Sequence, residues 1–400
     1  MSPVSATYWG MPGYVIFWVL FATAFGLFAQ RAYFLFRLIR LGKQENRFDH
    51  IGQRIKMMLI EVIPQWCSLK SVTRKDLSGI GHAVMFWAFG FFFISYIIFI
   101  GLAGGVGLAH VIEGSTFETV YSSVLDIAAA LAIIALVWAV LRRYVVRPER
   151  LQRSAEAAII VAVILSLMVL HFCIEGFGLA ASGVTTNWPP VGAVFARFLS
   201  DTGISKSTLM GISRVLWWLH YALILGFMVY IPRSKHLHVL ASPVNALFKP
   251  LGPKVVLEPI LEETETFGAS RIQDFTWKDL LDLYACAVCG RCHVNCPAQL
   301  SGKLLSPREV IHNLKEHLLE AGPGLLAGKA AASSESRAKT MIGDVVTEEE
   351  IWACTTCGAC QEVCPVNIEH IRKIIDLRRN LVMAQSKMPA SAQLMLRNMQ

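Results

Sequence analysis

Charge is what this chain of 400 residues has least of: 16% of its residues are Asp, Glu, Lys or Arg, against about 25% in a soluble domain. That scarcity excludes an ordinary cytosolic enzyme. The first apolar stretch has no basic residue ahead of it and no small-residue cleavage site behind it, so it reads as an uncleaved anchor and not as a secretory signal. Nor is there an adjacent Cys-Cys pair. Eight of the ten cysteines fall at regular intervals between residues 286 and 364, which excludes a secreted disulfide scaffold. The formal net charge of +8 is not a nucleic-acid signal. Residues 1–240 hold 20 basic and 11 acidic side chains, whereas 241–400 hold 17 and 18, so the excess lies wholly in the apolar front.

A transmembrane helix needs about 20 predominantly apolar residues, and five segments qualify: roughly 13–36, 79–103, 120–141, 155–179 and 214–232. Basic residues set their expected orientation. Ten lie between Arg31 and Lys75, five between Arg142 and Arg153, and Arg233 and Lys235 follow the fifth segment; the other side has only Arg197, Lys206 and Arg214. The positive-inside bias puts the N-terminus outside, the protein in the cytoplasmic (inner) membrane, and everything after the fifth helix in the cytoplasm. Within the loop 41–78, Ile51, Ile55, Met58, Leu59 and Val62 recur at helical spacing, as expected of a helix lying along the inner membrane surface. The outer loop 180–213 reads as a cap.

Ionisable residues inside a bilayer are costly and point to function. At 1.5 Å per residue, His82 lies just inside the cytosolic edge of the second helix, and His236 and His238 lie at the cytosolic exit of the fifth. A shared height suits a bis-histidine heme b. His171 and His220 form a deeper layer with Asp126, and with Glu175 one turn beyond His171. This layer is expected to serve as a quinone and proton site (Asp126, His171, Glu175), with His171 and His220 as the alternative of a second heme. A polar cluster that only packs three helices is the structural reading.

The arrangement resembles the gamma subunit of respiratory nitrate reductase, carried by His82 within residues 81–91 and by His220 and His238. The resemblance implies five helices, an outside N-terminus and a heme between His82 and His238, with His236 as an alternative ligand. Residues 220 and 238 are 18 apart, which puts them on one helical face if the helix stays regular past Pro232. Where the nitrate reductase pattern has a second histidine on helix two, this chain has Phe92.

The strongest motif is Cys286-x2-Cys289-x2-Cys292-x3-Cys296-Pro297, repeated as Cys354-x2-Cys357-x2-Cys360-x3-Cys364-Pro365. Three thiolates at two-residue gaps hold one 4Fe-4S cubane, while the fourth, turned away by proline, reaches the other cluster. The expected ligand sets are therefore Cys286, Cys289, Cys292 and Cys364, and Cys354, Cys357, Cys360 and Cys296. Zinc sites instead take two CxxC pairs across a spacer. Cys67 and Cys173 read as buried small hydrophobes, His293 as a cluster-tuning or surface residue, and His312, His317 and His370 as surface residues. A helix over 307–320, a flexible Gly/Ala/Ser crossing over 321–340 and a capped helix opening at Thr347 connect the two runs.

The dicluster module, with its closing run from Val366, resembles the iron-sulfur electron-transfer components of heterodisulfide reductase and of anaerobic glycerol-3-phosphate dehydrogenase. Membrane and dicluster parts in this order resemble the electron-transfer-flavoprotein:menaquinone oxidoreductases over nearly the whole chain. Those proteins continue into Cys-Cys-Gly domains that this sequence lacks. The expectation is an all-α, nitrate reductase gamma-like membrane domain (1–240), a linker (241–275), a mainly α-helical dicluster ferredoxin domain (276–385) and a tail (386–400). It carries electrons between a quinone in the lipid phase and a soluble partner, such as an electron-transfer flavoprotein or a heterodisulfide-reductase-like protein with Cys-Cys-Gly domains, through one or two hemes b and two 4Fe-4S clusters. The rival expectation is a membrane anchor that docks a cytosolic iron-sulfur complex.

Overall fold

The computed structural model describes residues 3–74, 76–112, 114–151, 153–183, 186–257, 259–260, 267–328 and 339–399. Among them the fold is helical apart from a hairpin pairing Thr7–Tyr8 with Met11–Pro12. The front of the chain runs through α1 (Gly13–Ile39), α2 (Ile51–Val62), α3 (Ser78–Gly105), α4 (Thr116–Val146), α5 (Ala155–Ser182), α6 (Pro190–Ser200) and α7 (Lys206–Arg233). All but α2 and α6 are long and apolar enough to cross a membrane. The spans α4 and α7 begin earlier than hydropathy alone predicts. Ser115 and Ser205 cap them, accepting hydrogen bonds from the backbone N–H of Glu118 and Thr208 at 3.1 and 3.2 Å, and Ser154 does the same for α5. A cap decides where a helix starts independently of how apolar the next turn is.

The chain divides into two compact units, one comprising Met1–Gln30 and Ser68–Ile231 and the other Arg31–Cys67 and Pro232–Gln400. In the first, Ala128, Ala129 and Ala132 of α4 are buried with Ala88, Phe92, Leu167 and Phe227. Small side chains permit the close backbone approach that drives helix association in lipid. Asp76 pairs with Arg142 at 3.0 Å and also with Arg150, so one basic residue near the end of α4 and one of the loop after it are ion-paired.

The second unit adds α8 (His238–Leu247), α9 (Trp277–Ala285), α10 (Pro307–Leu326), α11 (Glu348–Ala353), α12 (His370–Arg379) and α13 (Ala390–Met399). Residues 31–67 belong here and not with the preceding spans, because the backbone of Lys43 bonds both ways to the α9 entry: its N–H reaches the Phe275 carbonyl at 2.8 Å and its carbonyl accepts from Trp277 N at 3.0 Å. Gly42 is required at this point; a Cβ there would lie 2.6 Å from the Thr276 backbone carbon. Arg54 is buried, with Nη1 on the Lys249 carbonyl at 2.7 Å, while Ile51, Ile55 and Leu59 of the same helix are exposed.

Three expectations change. The stretch 241–275 is not simply a linker, since α8 is buried at Ala241, Asn245 and Ala246, and Asn245 Nδ2 donates to the Val366 carbonyl at 2.8 Å. The helix predicted over 307–320 continues through Gly322 and Pro323 to Leu326, because Gly322 lies against Leu38, where a Cβ would come within 2.4 Å. The rest of the predicted crossing, 329–338 with Arg337, lies outside the described residues. Third, the fifth helix does not stay regular past Pro232: Ser234 is extended (φ −123°, ψ 175°) and starts a new short turn, its Oγ accepting from His236 N at 3.1 Å. His220 and His238 therefore do not share one helical face.

Candidate functional site

The two cysteine runs fold as near copies. In each, the second residue between the first two cysteines has positive φ (Val288 at 51°, Thr356 at 55°), and so does the glycine after the second cysteine (Gly290 at 74°, Gly358 at 81°). A positive φ at a β-branched residue costs on the order of 1–3 kcal/mol. At Thr356 it turns the backbone N–H toward sulfur, 3.4 Å from Cys354 Sγ; after the second run Asn367, also at positive φ, precedes Ile368, whose N–H lies 3.4 Å from Cys364 Sγ. The structure brings Cys286, Cys289, Cys292 and Cys364 around one cavity, and Cys296, Cys354, Cys357 and Cys360 around another. Cys292 and Cys360 meet through Ile371.

Burial pushes the Cys286 thiol up to about 11 and the Cys360 thiol up to about 12, with neighbouring sulfurs adding to the effect. Four thiols around one space, at least two of them buried in each case, fit a group that binds them as thiolates and brings its own positive charge. A cubane meets both demands.

One residue assigned to the surface belongs here. His370 is 2% exposed and lines the first cavity, with Nδ1 3.1 Å from the Ile368 carbonyl. Burial and the nearby Lys373 lower it to about 4. No local pattern marks it, because its burial comes from long-range packing of α12 on α9. His293 Nδ1 lies 2.8 Å from Ser306 Oγ; His312 and His317 are half-buried. Behind His370 lies an ionic network that sequence reading missed. Lys278 and Lys373, both 0% exposed, hold Asp282 at 2.7 and 2.6 Å, and Lys373 reaches Asp279 at 3.0 Å. Lys278 and Arg47 each meet Glu369 at 3.1 Å, and Arg372 meets Glu45 at 2.8 Å. Arg47, counted from sequence as a topology signal, is thus also a buried structural partner.

In the membrane-helix unit, Asp126, His171 and Glu175 come together, their ligand atoms all within 4.8 Å of one another. Asp126, 0% exposed, accepts from Val191 N at 2.5 Å and Gly192 N at 3.3 Å, at the start of α6. The loop expected as a cap therefore supplies the donors that hold this carboxylate. A side chain at residue 192 would strike Glu175, with Cβ 2.9 Å from its Cγ. His171 Nε2 and Glu175 Oε2 stand 3.6 Å apart, both buried and without a hydrogen-bond partner. Phe92 meets the His171 ring edge-on at 5.1 Å. His220 is buried, with Nε2 3.5 Å from Tyr96 Oη and Nδ1 unpartnered.

The histidines expected at the cytosolic edge divide between the units. His82 lies in the first and is exposed. In the second, His236 and His238 meet edge-on at 5.4 Å, and His238 Nδ1 lies 2.7 Å from the Lys235 carbonyl. A carbonyl only accepts, so Nδ1 carries the proton and Nε2 is left with its lone pair, the tautomer a metal-ligating histidine adopts. Burial lowers the pKa of His238, which favours the neutral ring that a ligand requires.

Residues 282–368 match the 4Fe-4S dicluster domain family. The chain is 36% identical to the probable iron-sulfur-binding oxidoreductase FadF of Bacillus subtilis (strain 168), over 95% of its own length and 57% of the relative's. It is 38% identical to the EtfAB:quinone oxidoreductase of Syntrophomonas wolfei, over 89% and 52% respectively. One component of the ferredoxin/F(420)H(2)-dependent CoB-CoM heterodisulfide reductase of Methanosarcina acetivorans is 32% identical over 25% of this chain and 46% of its own. No solved structure matches. The chain spans a little over half the length of the first two relatives. It is a multi-pass membrane protein with a 4Fe-4S dicluster domain, and a homologue of iron-sulfur oxidoreductases that include FadF and the EtfAB:quinone oxidoreductase.

Proposed function

We propose that this chain passes electrons between a membrane quinone and a soluble redox partner, with the N-terminus outside and the dicluster unit in the cytoplasm. The observation that carries the reading is that two buried atoms without hydrogen-bond partners, His171 Nε2 and Glu175 Oε2, face each other on an apolar helix of a chain that also holds a 4Fe-4S dicluster domain. Heme iron and cubanes, when bound, supply one-electron carriers. His238 would be a heme ligand through Nε2. The eight cysteines, in the crossed sets that line the two cavities, would hold the cubanes. The partner is a flavoprotein of the electron-transfer type or a heterodisulfide-reductase-like protein with Cys-Cys-Gly domains, as the names of the relatives suggest.

We assign the layer around His171 to quinone rather than to a second heme. Phe92 stands edge-on against the His171 ring, and His171 Nε2 looks across 3.6 Å to the Glu175 carboxylate, an arrangement that suits proton exchange better than iron ligation; His220 turns Nε2 toward Tyr96 and keeps only Nδ1 without a partner. Quinone and quinol differ by two electrons and two protons, and Glu175 Oε2 and His171 Nε2 are placed to exchange those protons. Asp126, fixed by α6, holds the trio in place.

Two measurements test this. In an Asp126→Asn, His171→Phe double variant, quinol-dependent reduction of the clusters should fall at least a hundredfold, the scale of losing a general acid-base group; a wild-type rate would remove the quinone assignment. A dithionite-reduced minus oxidised spectrum of the purified protein should show a b-type alpha band that His238→Ala abolishes. Absence of the band in the wild type would leave the membrane histidines structural.

A further inference from the structure

The two cysteine runs serve as controls on each other. They share spacing, the strained residue at 288 and 356, and the glycine at 290 and 358, yet the residue after that glycine is Arg291 in the first run and Ala359 in the second. Arg291 is 9% exposed, lines the first cavity, and keeps a buried Nη1 with no hydrogen-bond partner. An unmet buried charged donor costs more than about 1–3 kcal/mol. An acceptor within that cavity would relieve this cost.

The surroundings differ in the same sense. The cysteines of the first cavity are the less exposed set: Cys286, Cys292 and Cys364 are buried and Cys289 half-buried, whereas in the second Cys296 and Cys360 are buried, Cys354 is half-buried and Cys357 is exposed. Arg308 also lines the first cavity, but its Nε donates to Glu309 at 2.7 Å and its charge is compensated there. No charged side chain lines the second cavity among the described residues. Arg378, behind Cys354, spends its donors on the carbonyls of Ile351 and Cys354. Four thiolates give a cubane net negative charge, and reduction adds one more. Solvent reaches that charge more readily at the second site, through the exposed Cys357, than at the first.

We propose that Arg291 is a positioning residue that sets the reduction potential of the first cluster, its guanidinium standing in for the solvent that burial excludes. This rests on the reading that both cavities hold cubanes. A unit charge about 6 Å away at an effective dielectric near 20 is worth more than a factor of ten in an equilibrium constant, and a factor of ten is 59 mV for a one-electron couple.

The test is an anaerobic redox titration of the purified full chain, followed by EPR, with iron and sulfide counted in each variant. In Arg291→Ala, one midpoint should fall by at least 59 mV while the other holds. Arg291→Lys should keep most of the wild-type value, and Ala359→Arg should raise the second midpoint less, because that site is wet. Both midpoints unmoved, or both shifted alike, would overturn the proposal. If Arg291→Ala fails to assemble the first cluster, Arg291→Gln, which keeps a donor without the charge, decides: a fallen midpoint supports the proposal and an unmoved one overturns it. Wild-type protein with fewer than two cubanes would defeat the underlying reading itself, and the iron count separates that failure from the other.

Discussion

Replacing Cys364 by serine is expected to abolish the cluster at Cys286, Cys289 and Cys292, far upstream in the chain, and to spare the cluster of its own run. The complementary Cys296→Ser should remove the cluster at Cys354, Cys357 and Cys360. Each variant should lose about half of the bound iron and sulfide, one cubane of two. The decisive comparison is between EPR signals. The signal missing in Cys364→Ser should be the one missing in Cys286→Ser, and should persist in Cys360→Ser. A shared loss in Cys364→Ser and Cys360→Ser would mean that each run serves a single cluster, against the crossed lining of the two cavities. Serine keeps the size and removes the soft ligand, so the loss reports coordination and not a packing defect at these buried positions.

The crossing was legible from spacing because the constraint is local: a two-residue gap fixes three corners, and a cysteine followed by proline is sent elsewhere. Five spans were legible for a related reason, since hydropathy is a sum over neighbours. Asp126 with His171 was legible from depth along antiparallel helices, but the α6 backbone that holds Asp126 was not, because Val191 and Gly192 act through N–H groups that nearly every residue carries. The fifth span reads as ending at residue 232, and the condition attached to it, that the helix stay regular past Pro232, fails at the extended Ser234. Proline removes a donor and warns of an end, yet whether the chain resumes on the same axis depends on the next turn. His370 and Arg47 failed for a third reason. A histidine in a charged helix and an arginine in a basic loop look solvated until a distant acid is placed opposite. Lys278 and Asp282, at i and i+4, read as an ordinary surface pair until α12 covers them.

That buried network supplies the second large effect. In Lys373→Met the second unit should lose about 3–5 kcal/mol of stability, the cost of removing one partner from a buried ion pair. Burial alone would raise the carboxyls of Asp279 and Asp282; Lys373 and, for Asp282, Lys278 overcome it and hold both below the usual range. Burial would likewise lower the Lys373 ammonium, but Asp279 and Asp282 raise it. For the aspartates, whose folded values are depressed, the stabilisation is complete above about pH 4 and is lost as pH falls through their folded values. For Lys373, whose folded value is raised, it is complete below about pH 10 and is lost as pH rises through it. The wild type should therefore be most resistant to denaturant between those limits. In Lys373→Met the deficit should shrink toward low pH, as the stranded carboxylates take up protons, and adding Asp282→Asn should recover part of it, because Lys278 still has Glu369 at 3.1 Å. Guanidinium unfolding of the full chain in detergent, followed by bleaching of cluster absorbance, gives the comparison. A midpoint within about 1 kcal/mol of wild type at neutral pH would show that water reaches these side chains. The network would then be a hydrated surface feature and not the buried support of the first cluster site.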